Sequence, residues 1–230
     1  MSLWKDFISL IYPRLCIGCG KVLLRNEDFL CNYCFVNLPK SHFENDPESE
    51  LDKVFYGRIP LQKATSYLLF EKSGKVQRIL HSIKYKGNQE LGFRMGEWYG
   101  QSLKNCNCFS GYDVIIPVPL HIKKLKQRGF NQSEVFAKGL SKSLQIKVNE
   151  SALIRNEFTS TQTRKSRADR WENVKGVFEV KNPEQLKSKK VLLVDDVITT
   201  GATLEACYAA LEKAEIDKLG IISLAYAKRD

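Results

Sequence analysis

The chain has 230 residues, 43% of them hydrophobic and 27% charged, enough for one good core and a small second module. Its 36 basic and 26 acidic residues give a formal charge of +10, which favours an anionic partner such as a nucleotide, a nucleic acid or an acidic protein. No stretch approaches the ~20 apolar residues of a membrane span, and the first ten residues lack a cleavable-signal pattern, so a cytoplasmic address without membrane insertion is expected.

Taken in chain order, the first element is a short amphipathic helix with Leu3, Phe7, Leu10 and Ile11 on one face. Two CxxC pairs follow, Cys16 with Cys19 and Cys31 with Cys34. The eleven residues between the pairs suffice for a hairpin that brings four thiolates onto one ion. Four sulfurs at ~2.3 Å complete a tetrahedral Zn²⁺ and leave no position for water, so the metal would be structural. A redox centre and an iron–sulfur cluster are the competing readings of the same cysteines. Cys106, Cys108 and Cys207 read as incidental or packed thiols.

The polar, acidic stretch 41–50 reads as a linker, dividing a module over 1–45 from a domain over 46–230. Residues 64–70 form a strand, and from Gly74 the spacing of Val76, Ile79, Leu80 and Ile83 predicts a helix. Its end, Lys84-Tyr85-Lys86-Gly87, reads as a basic last turn with a glycine cap, a direct ligand role being the alternative. A helix over 91–103 packs Phe93, Trp98 and Tyr99, and a buried strand over 112–116 stops at Pro117-Val118-Pro119. A basic loop from His121 to Phe130, holding Lys123, Lys124, Lys126 and Arg128, leads into a helix over 133–144. The turn at Pro119 and Leu120 can offer amides to pyrophosphate, with Arg128 supplying charge, or it is a proline-capped strand end before a solvated loop. Residues 158–177, polar and basic, read as a lid over a reaction centre.

The most informative stretch comes last. An apolar strand, Val191 to Val194, ends in Asp195 and Asp196; a Thr199-Thr200-Gly201-Ala202-Thr203 loop follows, then a helix over 204–211. Amides at a helix start have no intrahelical partner, and the dipole adds partial positive charge, so a phosphate can settle there. Carboxylates can accept hydrogen bonds from a sugar diol. The bland reading is a strand–loop–helix unit whose acids help cap the helix. A strand over 219–226 closes the series, and the alternation of strands and helices implies an α/β fold with a parallel sheet.

The stretch from Val191 to Leu204 resembles the phosphoribosyl-pyrophosphate (PRPP) motif of the type I phosphoribosyltransferases. That implies Asp195 and Asp196 on the ribose hydroxyls, Thr199, Thr200, Gly201, Ala202 and Thr203 on the 5-phosphate, and Mg²⁺ bound with PRPP. The double CxxC, Lys84-Tyr85-Lys86-Gly87, Arg128-Gly129-Phe130-Asn131-Gln132, the Arg170, Asn173 and Gly176 stretch and the acid pair together look like the ComF family. The resemblance implies a parallel-sheet phosphoribosyltransferase fold with an N-terminal zinc module and a role in natural competence, where single-stranded DNA is taken up. Nucleobase salvage needs a hood over the base, for which only the cysteine module and the strand at 64–70 are available.

Two functions stand side by side. One is a PRPP-binding, phosphoribosyltransferase-like protein acting in DNA uptake, catalysing by positioning and charge rather than with a side-chain nucleophile. The other is a non-catalytic module that binds PRPP or a nucleotide and carries single-stranded DNA on Lys123, Lys124, Lys126, Arg164, Lys165, Arg167 and Arg170, with Phe130 and Trp171 available for stacking. A related possibility is an adaptor docking a helicase-like competence protein through the zinc module.

Overall fold

In the central strands successive side chains enter opposite cores, which is why their sequence is apolar throughout. In β6, Lys190–Ile198, Val191 and Leu193 pack on one side while Leu192 and Val194 pack on the other. The computed structural model describes residues 12–156 and 177–228. The remaining strands of the main sheet are β1 (Lys63–Leu69), β2 (Val114–Pro117), β3 (Lys147–Val148) and β7 (Lys218–Tyr226). Their order is β1-β7-β6-β2-β3, all parallel.

One face is covered by α3 (Lys75–Tyr85), α4 (Gln89–Cys106) and α6 (Gln132–Leu144). Val76, Ile79, Leu80 and Ile83 of α3 are all buried, as their spacing predicts. The short helix α1 (Asn32–Val36) joins this side through Phe35, whose ring meets Trp98 edge-on at 4.7 Å. Helices α4 and α6 cross backbone to backbone: a Cβ on Gly139 would fall well inside contact distance of the Phe93 carbonyl, and one on Gly96 inside that of Phe136. The other face is covered by α2 (Glu50–Lys53), α7 (Ala202–Leu211) and an antiparallel hairpin of β4 (Leu153–Arg155) and β5 (Phe178–Val180). This hairpin brackets the segment expected to be a lid.

Several expectations are corrected. The stretch 41–50 is a packed element, not a linker. Ser41 donates its N–H to the Tyr67 carbonyl at 3.1 Å, residues Phe43–Asn45 form a 3-10 turn, and Ser49 caps α2. Two of its polar side chains are held by partners: Tyr99 donates to Glu44 at 3.2 Å, and Ser49 is buried against Asp52. The basic loop contains a further helix, α5 (Ile122–Arg128), capped by His121 and ended by Gly129 at φ 78°. Cys106 and Cys108 are paired as a disulfide, brought together where Asn107 turns into the left-handed region at φ 55°. The strand at 64–70 is β1, an edge of the main sheet, and supplies no hood. The N-terminal helix and the lid segment, with Arg164, Lys165, Arg167, Arg170, Trp171, Asn173 and Gly176, lie outside the described residues.

Candidate functional site

The sheet order itself locates a crevice. The chain leaves β2 toward β3 on one side and leaves β6 toward β7 on the other, so the succession of strands reverses between β2 and β6. Ligands of open parallel sheets bind outside the carboxyl ends of strands at such a switch point. There β2 pairs with β6 only as far as Val194, whereas β7 accompanies β6 through Asp195 to Ile198. The acid pair therefore sits on a strand that has lost one neighbour. The continued pairing with β7 carries the strand past both carboxylates rather than letting it stop before them.

Asp195 accepts from the Ser133 hydroxyl at 3.1 Å and from the Asp196 N–H at 2.8 Å. Burial pushes its pKa from the ordinary 3.8 up to about 7; the neighbouring Asp196 charge adds to the rise, and the hydrogen bonds and Lys84 oppose it. Asp196 is held by the Lys84 ammonium at 2.8 Å, with both side chains largely covered. Lys84 is thus at the site, while Gly87, at φ 67°, still turns the chain after the helix.

Ser133 is placed by the start of α6. Asn131 caps this helix and donates Nδ2–H to the Val118 carbonyl at 2.9 Å, tying it to the end of β2. Arg128 donates to Gln132 Oε1 at 2.6 Å and lies over the Tyr85 ring, 5.4 Å from its centre. Its Nε is, among the described residues, a buried side-chain nitrogen with no hydrogen-bond partner. The segments around Lys84, Arg128 and Asp195 therefore converge at one place. Pro119 and Leu120 are partly buried at the turn between β2 and α5, and α5 takes up most of the amides that an open basic loop would have offered. Lys123, Lys124 and Lys126 are exposed on α5, whereas Phe130 is buried in the core and unavailable for stacking.

Beyond Ile198 the loop carries Thr199, Thr200 and Gly201 into α7, which begins at Ala202, two residues earlier than its apolar pattern suggests. Asp195, Val197 and residues 198–204 line a small cavity. Thr199, Ala202 and Thr203 are exposed there. A larger cleft of about 920 Å³ lies between the cysteine module and α3 and shares no lining residue with this cavity, so size alone does not locate the site.

The cysteine sulfurs of Cys16, Cys19, Cys31 and Cys34 lie within 4.8 Å of one another. Cys19 and Cys31 are 3.8 Å apart, close to the ~3.8 Å edge of a tetrahedron with ~2.3 Å metal–sulfur bonds. Glu27 braces the loop between the pairs, accepting from the Leu24 N–H at 2.8 Å and the Asn32 N–H at 2.7 Å. Burial raises the Cys16 thiol, but N–H donors led by that of Cys31 outweigh it and bring the group down to about 7. The cluster fits a zinc module.

Comparison with known proteins gives the family and the fold class. A phosphoribosyl transferase domain model matches residues 131–230. Competence protein ComFC of Bacillus subtilis is 30% identical over 212 residues, covering 92% of this chain and 83% of that protein. The chain belongs to the ComF competence family. Other ComF relatives include Competence protein F of Haemophilus influenzae, 35% identical over 116 residues, 50% of this chain and 51% of that protein. DNA utilization protein YhgH of Escherichia coli O6:H1 is 27% identical over 200 residues, 86% of this chain and 83% of the relative. The fold is the parallel-sheet α/β phosphoribosyltransferase type, and the matched domain contains the acid pair, its Ser133 partner and the Thr/Gly loop.

Proposed function

We propose that this ComF-family protein binds PRPP, with Mg²⁺, at the carboxyl end of β6 and acts in the handling of imported DNA. The observation that carries the reading is the acid pair at the switch point, fixed by Ser133 and Lys84 and followed through a short Thr/Gly loop by the start of a helix. Asp195 and Asp196 accept hydrogen bonds from the ribose hydroxyls. The loop of Thr199, Thr200, Gly201, Ala202 and Thr203 supplies amides and hydroxyls to the 5-phosphate. Pro119, Leu120 and Arg128 flank the pyrophosphate, and the unpartnered Arg128 Nε–H supports that assignment, because a buried donor without an acceptor invites an anion.

Ser133 and an N–H engage Oδ1 of Asp195, and Lys84 engages Oδ2 of Asp196, so the other oxygen of each carboxylate would be the protein's contribution to a Mg²⁺ bound with PRPP. When bound, it neutralises charge on departing pyrophosphate. The residues themselves orient the ribose and hold its phosphate, which is positioning and electrostatic work without a side-chain nucleophile. The four cysteines hold one structural Zn²⁺ in a module spanning 1–45, beside a phosphoribosyltransferase-like domain over 46–230. The cytoplasm is the compartment that fits this assignment.

A second reading, binding without transfer, is favoured by the exposed Lys123, Lys124 and Lys126 on α5, near the same site and in a chain of net charge +10. In that reading the surface carries single-stranded DNA, and a helicase-like competence protein is a partner. Titration calorimetry with PRPP and Mg²⁺ on the wild type and on Asp195→Asn/Asp196→Asn tests the ribose assignment. Loss of binding in a folded double variant is expected, and unchanged affinity would place the ribose elsewhere. Pyrophosphate release in the presence of acceptors separates enzyme from binder.

A further inference from the structure

Arg58, 142 positions before Thr200, reaches the loop proposed for the 5-phosphate. Its Nη1 donates to the Thr200 carbonyl at 2.9 Å and to Val54 at 3.0 Å, and its Nη2 meets the Glu205 carboxylate at 2.5 Å. The base from which it reaches is fixed. Asp52 accepts from the Ala64 N–H at 2.7 Å, the Lys63 ammonium at 2.6 Å, and the Ser49 N–H and hydroxyl at 3.0 and 2.7 Å, which ties α2 to the start of β1. Phe55, fully buried, then presses on the loop. Gly201 has φ 76°, and a Cβ there would stand 2.6 Å from the Phe55 ring and 3.3 Å from Val54.

Glu205 creates a conflict that Arg58 resolves. A carboxylate in the first turn of α7 suits the helix dipole, but it repels any phosphate drawn to the same helix start. A guanidinium can grip a carbonyl and a carboxylate at once in one plane, which a lysine cannot.

Resting on the PRPP reading above, we propose that Arg58 is a positioning residue that cancels Glu205 at the mouth of the phosphate loop and so sets affinity for the 5-phosphate. Its test is titration calorimetry of PRPP with Mg²⁺ into zinc-loaded full-length wild type, Arg58→Met, Glu205→Gln and Arg58→Met/Glu205→Gln. The single Arg58→Met weakens binding about tenfold, equivalent to about 1.4 kcal/mol. The double variant recovers most of that loss, which a merely structural role for Arg58 would not allow. Glu205→Gln alone binds at least as tightly as wild type, a readout that holds even if Arg58→Met folds poorly. Wild-type affinity in Arg58→Met, a double variant as weak as Arg58→Met, or a Glu205→Gln that binds markedly more weakly than wild type each overturns the proposal. Absence of PRPP binding in the wild type instead overturns the underlying reading, and the inference with it.

Discussion

Replacing Asp195 by Asn should stabilise the protein above neutral pH while destroying its ligand site. Asp195 is raised from 3.8 to about 7 by burial and by Asp196, so the folded protein holds a proton that the unfolded chain releases. The sign follows directly. The group's contribution is fully present below pH 3.8, shrinks as pH rises, and is lost above about 7, so the wild type weakens across that window. Each pKa unit is worth about 1.4 kcal/mol, which sets a ceiling of roughly 4 kcal/mol at pH 8. Partial exposure of the side chain reduces this to about 2 kcal/mol. Asn keeps the oxygen that accepts from Ser133 and from the Asp196 N–H, and it has no charge to bury. Urea unfolding at pH 5 and pH 8, with zinc present throughout, measures the effect. The difference between variant and wild type should grow by about 1 kcal/mol from pH 5 to pH 8, since more than a third of the window lies below pH 5; cysteine titration cancels because both proteins share it. A difference that is flat with pH, or that favours the wild type at pH 8, would refute the argument.

Other consequences are equally direct. Elemental analysis of protein purified without added metal should show about one zinc per chain, and Cys34→Ser should lose that zinc and melt at a lower temperature; iron, or a well-folded sample with no metal, contradicts the assignment. Gly139→Ala should cost at least about 2 kcal/mol in urea unfolding, because its Cβ meets the backbone of α4; a loss below about 0.5 kcal/mol would show that the crossing can open at little cost. Single-stranded DNA binding should weaken about 10³-fold between 50 and 200 mM salt, and replacing Lys123, Lys124 and Lys126 by Ser should flatten that slope without changing PRPP affinity. Salt-insensitive binding would remove the DNA role from α5.

The parallel strands were legible because burial on both faces leaves uninterrupted apolar runs, as at Val191 to Val194. The cysteine cluster and the acid pair with its Thr/Gly loop were legible because their residue types are adjacent in sequence. Lys84 was ambiguous for a physical reason: a lysine in a helix's last turn is explained by the dipole alone, and only the fold brings Asp196 to it. Ser133 and Arg58 carried no signal, since their partners lie 62 and 142 positions away. The stretch 41–50 looked like a linker because its polarity matches one, yet Glu44 and Ser49 are spent on hydrogen bonds to Tyr99 and Asp52. The α4–α6 crossing depends on which glycines face each other, which periodicity does not reveal.

The central claim, that the acid pair and the loop behind it hold a ribose phosphate, is tested most directly by phosphorus NMR of PRPP with Mg²⁺ and the zinc-loaded protein. The account predicts that the 5-phosphate resonance shifts and broadens on addition of wild type, and that Asp195→Asn/Asp196→Asn abolishes the change. Resonances that stay at their free positions at saturating wild-type protein, or that move equally with the double variant, would contradict it.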